Sequence, residues 1–433
     1  MHIGLLMTAN GSHFGGWRLP AAQPEASYTL QHYVRLALEA ERGCFDFLFM
    51  ADTLALVPNL LPQTLGHAPP IAHLEPLTLL AALAAMTSHI GLAASATTTY
   101  NQPYQVARLF ASLDHISGGR AAWNLITSGN PAEAWNFGFD KHPDHADRYD
   151  RAREFADVVC GLWDSWSDSA FRFDKASGQY FDPAGMRPLN HQGNHFRVRG
   201  PLNMARSPQG RPVIAQAGSS EDGRALAAAT ADVVFTAQQN MAGARAFRDD
   251  LRQRAAKLGR NPDQLVILPG VAPVIGSTEA EAHARVQALE DAFDPVIGLD
   301  ALSAEFGIDL SIYPLDMPLP DALPESPRAT SRRELMLGAA RRDGLTLRQL
   351  GARTASLGHW MLAGTPTSIA DTLEQWFHAG AADGFIVMPS SLPDGLEAFV
   401  RQVVPELQQR GLFRTHYESN MLRGNLGLAR PGI

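Results

Sequence analysis

Three groups of residues in this 433-residue chain have the types and spacing of a chemical site. The first is the run Gly218, Ser219, Ser220, which stands just before an amphipathic segment. Glycine allows a tight turn, and two hydroxyls then lie beside the free N–H groups of a helix start. Such a place suits a phosphate, and it equally suits an ordinary serine N-cap. The second is HPDHADRYDRAREF, His142 to Phe155, in which His145 and Tyr149 fall at i,i+4 on one helical face. An imidazole and a phenol projecting together fit a flat ring and its phosphate. The third is a set of polar residues just past apolar runs: Asp52, then Thr97, Thr98 and Thr99 with Tyr100 and Asn101, then Asn124, Thr127 and Ser128.

The elements that must position them follow from periodicity. Apolar runs occur at Ile3–Met7, Phe45–Met50, Ile90–Thr97, Arg120–Ile126, Pro212–Ala217, Val233–Phe235, Leu265–Val274 and Gly384–Met388. Runs this continuous predict strands buried on both faces, as in a parallel sheet. Helical segments alternate with them: Tyr28–Arg42, Pro76–Ser88, Pro103–His115, Ala146–Trp163, Asp222–Ala229, Ala242–Lys257, Thr278–Phe293, Pro366–Ala379 and a last one over Leu396–Arg410. Eight such units predict an α/β fold, a (β/α)8 TIM barrel in one domain spanning 1–433. In that fold the carboxyl ends of the strands form the active site, which is where the third group stands. Two insertions, at about 165–211 and 298–358, are expected over the mouth. The first is expected to end in a hairpin around His191–Val198. The tail from about 413 is expected to wrap the surface or a second subunit.

Composition narrows the function. A net charge of −8 disfavours a nucleic-acid partner. Two cysteines, Cys44 and Cys160, make no disulfide framework and fit buried thiols in a reducing cytoplasm. No signal peptide or membrane span is read; Leu74–Thr99 is apolar but broken by Glu75, Pro76, Ser88, His89 and Gly91. His142, Asp144, His145 and Asp147 have metal-ligating chemistry, but no H-x-H follows the first strand, so no metal is expected. His191 and His195 in HQGNH are expected to hydrogen bond. Phe14, Trp17, Trp135, Phe137 and Phe139 gather near the expected mouth, where loop packing or an apolar cofactor pocket would use them. Neither G-x-G-x-x-G after a strand nor a P-loop is present, so any electrons from NAD(P)H would come through another protein.

Six segments, in order and covering most of the chain, resemble one family. They are FDFLFMADTL (45–54), the stretch 75–128 from EPLTLLAALAAM to GGRAAWNLITS, HADRYDRAREFADVVCGLWDSW (145–166), HQGNHFRVRGPLN (191–203), PVIAQAGSSEDGRALAAATADVVF (212–235) and GTPTSIADTLEQWFHAGAADGFIVM (364–388). The sequence is similar to the bacterial-luciferase-like flavin monooxygenases, in the branch acting on nitrilotriacetate and dibenzothiophene sulfone. The resemblance implies reduced FMN (FMNH2) as cofactor, O2 as co-substrate and a separate NAD(P)H:flavin oxidoreductase as partner. It implies a small-molecule substrate, commonly cleaved at a C–N or C–S bond, and a homodimer or homotetramer. Asp52, Thr97 or Thr98, and Asn124 would line the isoalloxazine. His145 and Tyr149 would contact the ring, ribityl chain or phosphate, and Gly218, Ser219 and Ser220 would bind the phosphate.

A proton donor or acceptor near such a flavin is sought among the histidines. His13, in the loop after the first strand, and His359, in GHW before the last unit, are the two catalytic candidates. Three rivals stay open: a deazaflavin-dependent oxidoreductase on the same barrel, a metal hydrolase, and a flavin-binding protein without catalysis.

Overall fold

The computed structural model describes residues 1–56, 66, 72–320, 323, 331–354 and 359–433. Eight parallel strands close into a barrel: β1 (His2–Leu6), β2 (Phe47–Met50), β3 (Gly91–Thr97), β4 (Ala121–Ile126), β5 (Val213–Gln216), β6 (Val233–Thr236), β7 (Val266–Ile275) and β8 (Gly384–Val387). Each pairs with its chain neighbour, and β8 returns to β1 with His2 opposite Gly384. Closure pairs every barrel strand on both sides, and the outer faces are covered by α1 (Leu30–Arg42), α2 (Pro76–Met86), α3 (Pro103–Ser117), α4 (His145–Trp163), α5 (Glu221–Thr230), α6 (Met241–Lys257) and α7 (Glu279–Asp291). The eight expected strands and their helices therefore form, with ends shifted by a few residues.

Alternation along the strands sorts two cores. Leu6, Phe49, Ala93, Ala122, Phe235 and Ile386 point into the barrel, whereas Leu5, Leu48, Leu92, Trp123 and Val387 point at the helices. Phe49 and Phe235 meet edge to face across the lumen at 5.4 Å. By the same period, Ser95 and Asn124 share the inward face with Ala93 and Ala122.

The 165–211 segment carries the expected hairpin, His191–Gln192 against Arg197–Val198, and another, Phe171–Asp174 against Gln179–Phe181. The later insertion holds α8 (Pro295–Phe306), α9 (Ser331–Asp343) and α10 (Leu347–Thr354), which enclose a small core around Leu302, Phe306 and Leu350. Part of the expected 298–358 stretch, including Pro324, Pro327 and Gly358, lies outside the described residues. A strand not read from the sequence, Trp360–Gly364, pairs with the second half of β7 and leads into α11 (Pro366–His378). Its residues are only half-buried, apart from Gly364, so they do not form a long apolar run. The last helix is broken into Asp394–Ala398, a π turn at Phe399–Val403 and Val404–Gln409. Pro405 explains the wide turn, because its ring cannot face an i−4 carbonyl in a regular helix.

The tail corrects an expectation. It lies across the amino-terminal end of the barrel, where Leu422, Leu426 and Leu428 join the interior cluster. Leu422 stands so close over β3 that a Cβ on Gly91 would be 2.6 Å from its Cδ1. Three arginines fix the segment to the body: Arg414 to Asp46 at 2.6 Å, Arg423 to Asp232 at 2.7 Å and Arg430 to Asp168 at 2.5 Å. The apolar spacing of the three leucines makes a plug, so the tail is part of the core.

Candidate active site

At the carboxyl end, the turn after β5 is built around Gln216. Its Oε1 accepts the Gly218 N–H at 2.8 Å. A Cβ on Gly218 would lie 2.4 Å from Gln216 Nε2 and 2.9 Å from Gly223 Cα, so glycine is required for the turn to close on α5. Ser220 Oγ accepts the Gly223 N–H at 3.1 Å and is thus occupied as an N-cap, which assigns that hydroxyl its ordinary role. Ser219 Oγ is 3.5 Å from Thr236 Oγ1 and is only loosely held. Of the first-turn N–H groups of α5, which have no i−4 partner, that of Gly223 is taken by the Ser220 cap, and Glu221 and Asp222 stand in the same turn.

His145 begins α4 and is carried to that same place. Its Nδ1 is 3.1 Å from the Asp222 carboxylate in the first turn of α5. Its ring rests on Tyr149 with centroids 4.6 Å apart. Arg153 lies 3.7 Å from the other Asp222 oxygen. The fold therefore brings His145, Tyr149 and the Gly218–Ser220 turn together.

Deeper in the mouth, Asn124 Nδ2 donates to Ser95 Oγ at 2.7 Å, and Ser95 Oγ donates to the Met50 carbonyl at 3.0 Å. That chain ties β4, β3 and β2 and leaves Asn124 Oδ1 buried with no partner. An orphaned acceptor at 2 % exposure is costly unless a ligand donor meets it. Thr97 Oγ1 accepts from Ser128 Oγ at 2.7 Å and from the Thr99 N–H at 3.1 Å. Thr98 is committed to backbone, donating to the Ile126 carbonyl at 3.2 Å while its own carbonyl accepts from Arg151 Nε at 3.0 Å. Thr97 is accordingly the better placed of the pair. Asp52 Oδ1 lies 3.0 Å from His73 Nε2 and raises the pKa of that imidazole through the hydrogen bond.

A cavity of about 230 Å³ opens between the ends of β1 and β2, under the loop that follows β1. Asn10, Ser12, His13, Trp17 and His73 line it. His13 is 3 % exposed, and burial pulls its pKa down to about 4. His359 lies on the β6–β7 side instead, stacked on Phe235 with centroids 4.9 Å apart and planes 6° from parallel. Gly270 in β7 makes room, since a Cβ there would be 2.4 Å from His359 Nδ1.

The remaining polar motifs find protein partners. His142 Nδ1 is 2.6 Å from the Tyr100 hydroxyl, His191 pairs with Glu154 and His195 with Asp150, both at 2.9 Å. Among the described residues no three metal-ligating groups converge. Tyr100 also stacks on Phe137 at 4.9 Å and meets Phe139 edge-on, while Trp135 stays 65 % exposed. Ser95, Gln216, His73 and Asn10 were not singled out from the sequence. Ser95 carries a signal there, a polar residue two before Thr97 in an apolar run; Asn10 and His73 sit in irregular loops and carry none.

A barrel with a glycine-dependent turn after β5 leading into a helix start, and a polar-walled, partly enclosed mouth, is that of an enzyme acting on small molecules. The chain belongs to the luciferase-like monooxygenase family, whose sequence model matches residues 11–383. It is 51% identical to nitrilotriacetate monooxygenase component A of Aminobacter aminovorans, over 100% of this chain and 97% of that protein. It is 47% identical to N-acetyl-S-(2-succino)cysteine monooxygenase of Bacillus subtilis (strain 168), over 99% and 97%. Among solved structures, EDTA monooxygenase from Chelativorans sp. BNC1 superposes with a TM-score of 0.85 at 36% identity, covering 99% of this chain and 98% of that one. A riboflavin lyase solved with modified FMN and riboflavin gives 0.87 at 30% identity, covering 99% and 96%. The protein is a flavin-dependent monooxygenase of this class.

Proposed function

We propose that the chain is the oxygenase component of a two-component system. It takes reduced FMN from a separate NAD(P)H:flavin oxidoreductase and uses O2 to oxygenate a small organic substrate, with cleavage of a C–N or C–S bond. The observation that carries the cofactor assignment is the buried acceptor Asn124 Oδ1 inside the barrel, without a partner among the described residues, on the strand next to the one that ends in the Gly218 turn and the start of α5. The residues present fit FMN. Asn124, Thr97 and Asp52 would hold the ring, His145 and Tyr149 the ribityl chain and phosphate, and Gly218, Ser219 and the Ser220 backbone the phosphate.

Reduced FMN, when bound, supplies the electrons and activates O2. The chain's residues orient it and keep water away: the Phe49–Phe235–His359 stack closes the lumen beneath the mouth, and the loop after β1 roofs the cavity beside it. His13 and His359 are the histidines assigned to the reacting region. The lack of a dinucleotide motif and the name "component A" of a close relative both support an external reductase. The substrates named by relatives, nitrilotriacetate and a succinylated cysteine, support a heteroatom next to the oxidised carbon.

The enzyme is further assigned to the cytoplasm, as one domain per chain and a homodimer or homotetramer. No described helix is long and apolar enough to cross a membrane. Met86 on α2 and Leu109 and Ile116 on α3 are exposed apolar side chains suited to a subunit contact.

The test is a reductase-coupled reaction under isotopically labelled O2, with nitrilotriacetate and N-acetyl-S-(2-succino)cysteine as first substrates. Label is expected in the product. Turnover without O2 on a deazaflavin would overturn the proposal.

A further inference from the structure

The loop after β1 holds two buried polar atoms that nothing among the described residues satisfies. His13 Nδ1 accepts the backbone N–H of Gly15 at 3.0 Å, so that nitrogen carries a lone pair and no proton. Its Nε2 is buried, with no partner among the described residues. Phe293 stands edge-on to the imidazole with centroids 6.1 Å apart, too far for its ring face to accept a hydrogen bond. Three residues earlier, Asn10 Nδ2 donates to Ser27 Oγ at 3.0 Å, which fixes the amide and leaves Oδ1 buried and unpartnered. Both residues line the same cavity, and both are 3 % exposed.

We infer that His13 is a substrate-binding hydrogen-bond donor of fixed tautomer, with its proton on Nε2, and that with Asn10 Oδ1 as acceptor on the same cavity it selects a substrate bearing both an oxygen acceptor and an N–H. An N-acylated or N-substituted amino carboxylate has that pattern; a hydrocarbon or a simple thioether has not. The assignment rests on the monooxygenase reading, since it places the substrate in this cavity. It changes the role expected of His13 there, because a nitrogen that already holds the proton cannot act as a general base. The Gly15 N–H enforces this tautomer, as the alternative would set two N–H groups against each other in a buried site.

The test uses the full-length protein with histidine labelled by the heavy nitrogen isotope, His13→Gln serving to assign the His13 signal. At neutral pH the free protein is expected to show Nε2 protonated and Nδ1 bare. The opposite tautomer, or a signal titrating near the ordinary histidine value, overturns the inference. N-acetylglycine is then the probe: it is expected to shift the Nε2–H signal, whereas dimethyl sulfide is not. A shift from dimethyl sulfide alone overturns the substrate class. His13→Gln keeps an amide N–H at similar reach and is expected to bind the probe within about threefold of the parent, while His13→Phe loses about tenfold or more, the worth of one buried hydrogen bond. Equal loss in both variants contradicts the donor role. Reduced FMN binding is followed in the same samples; its absence would sink the flavin reading while the tautomer result stood on its own.

Discussion

His145 and Asp222 meet between the starts of two helices, Nδ1 to carboxylate at 3.1 Å. The contact sets an imidazole, and also a carboxylate, beside the helix start proposed to hold the phosphate. Removing that charge favours the ligand. Asp222→Asn is expected to tighten FMN binding by about threefold to tenfold at low salt, with a loss of up to about 1 kcal/mol in stability from the helix start. Fluorescence titration measures the first and urea unfolding the second; weaker FMN binding would place the phosphate elsewhere.

Gly218 tests the turn itself. An alanine there meets Gln216 Nε2 at 2.4 Å and the α5 backbone at 2.9 Å, so the turn must open. FMN affinity is expected to fall by about tenfold or more, the cost of misplacing several charge-assisted donors. Affinity within twofold of the parent would show that this turn does not hold the phosphate.

Two buried groups impose opposite pH dependences on stability. His13, held at about 4 by burial, is less protonated in the folded than in the unfolded state, so it removes stability as pH falls from about 6.5 to about 4. Asp114 is raised to about 6 by burial, against hydrogen bonds from the Ala121 N–H and Gln209. It is more protonated when folded, so it removes stability as pH rises from about 4 to about 6. Each slope is about 1.4 kcal/mol per pH unit, and between about 4 and 6 they cancel. Asp114→Asn keeps the accepting oxygen and removes only the second slope. Relative to the parent, the variant should gain about 3 kcal/mol across that window in denaturant titrations. A difference that does not change with pH would show that Asp114 titrates at its ordinary value.

The plug under the barrel is a stability element. Leu422 is fully buried against β3, and Leu422→Ala should cost about 2–5 kcal/mol, read as a lowered urea midpoint with the slope unchanged. A cost under about 0.5 kcal/mol, typical of a surface site, would mean the tail is not packed in solution.

The strands were legible because each barrel strand is buried on both faces, which leaves an apolar run such as Phe47–Met50. Trp360–Gly364 was not, because a strand lying beyond the closed barrel is half-exposed and short. The tail misled for a different reason. Its glycines and arginines have surface composition, yet each arginine is neutralised by a carboxylate of the body, which lets the three leucines enter the lumen. The turn proposed for the phosphate could be read as a Gly-Ser-Ser run at a helix start, and the structure places it there. The substrate end could not: the tautomer of His13 is set by the Gly15 N–H and the free oxygen of Asn10 by Ser27, contacts in an irregular loop that no periodicity announces.

The most direct test of the account is an anaerobic titration of the purified protein with reduced FMN, oxidised FMN and a reduced deazaflavin, followed by fluorescence. Reduced FMN should bind tightest, and Asn124→Ala should weaken it by about tenfold through the lost ring contact. Binding of the deazaflavin alone, or of no flavin, would contradict the assignment.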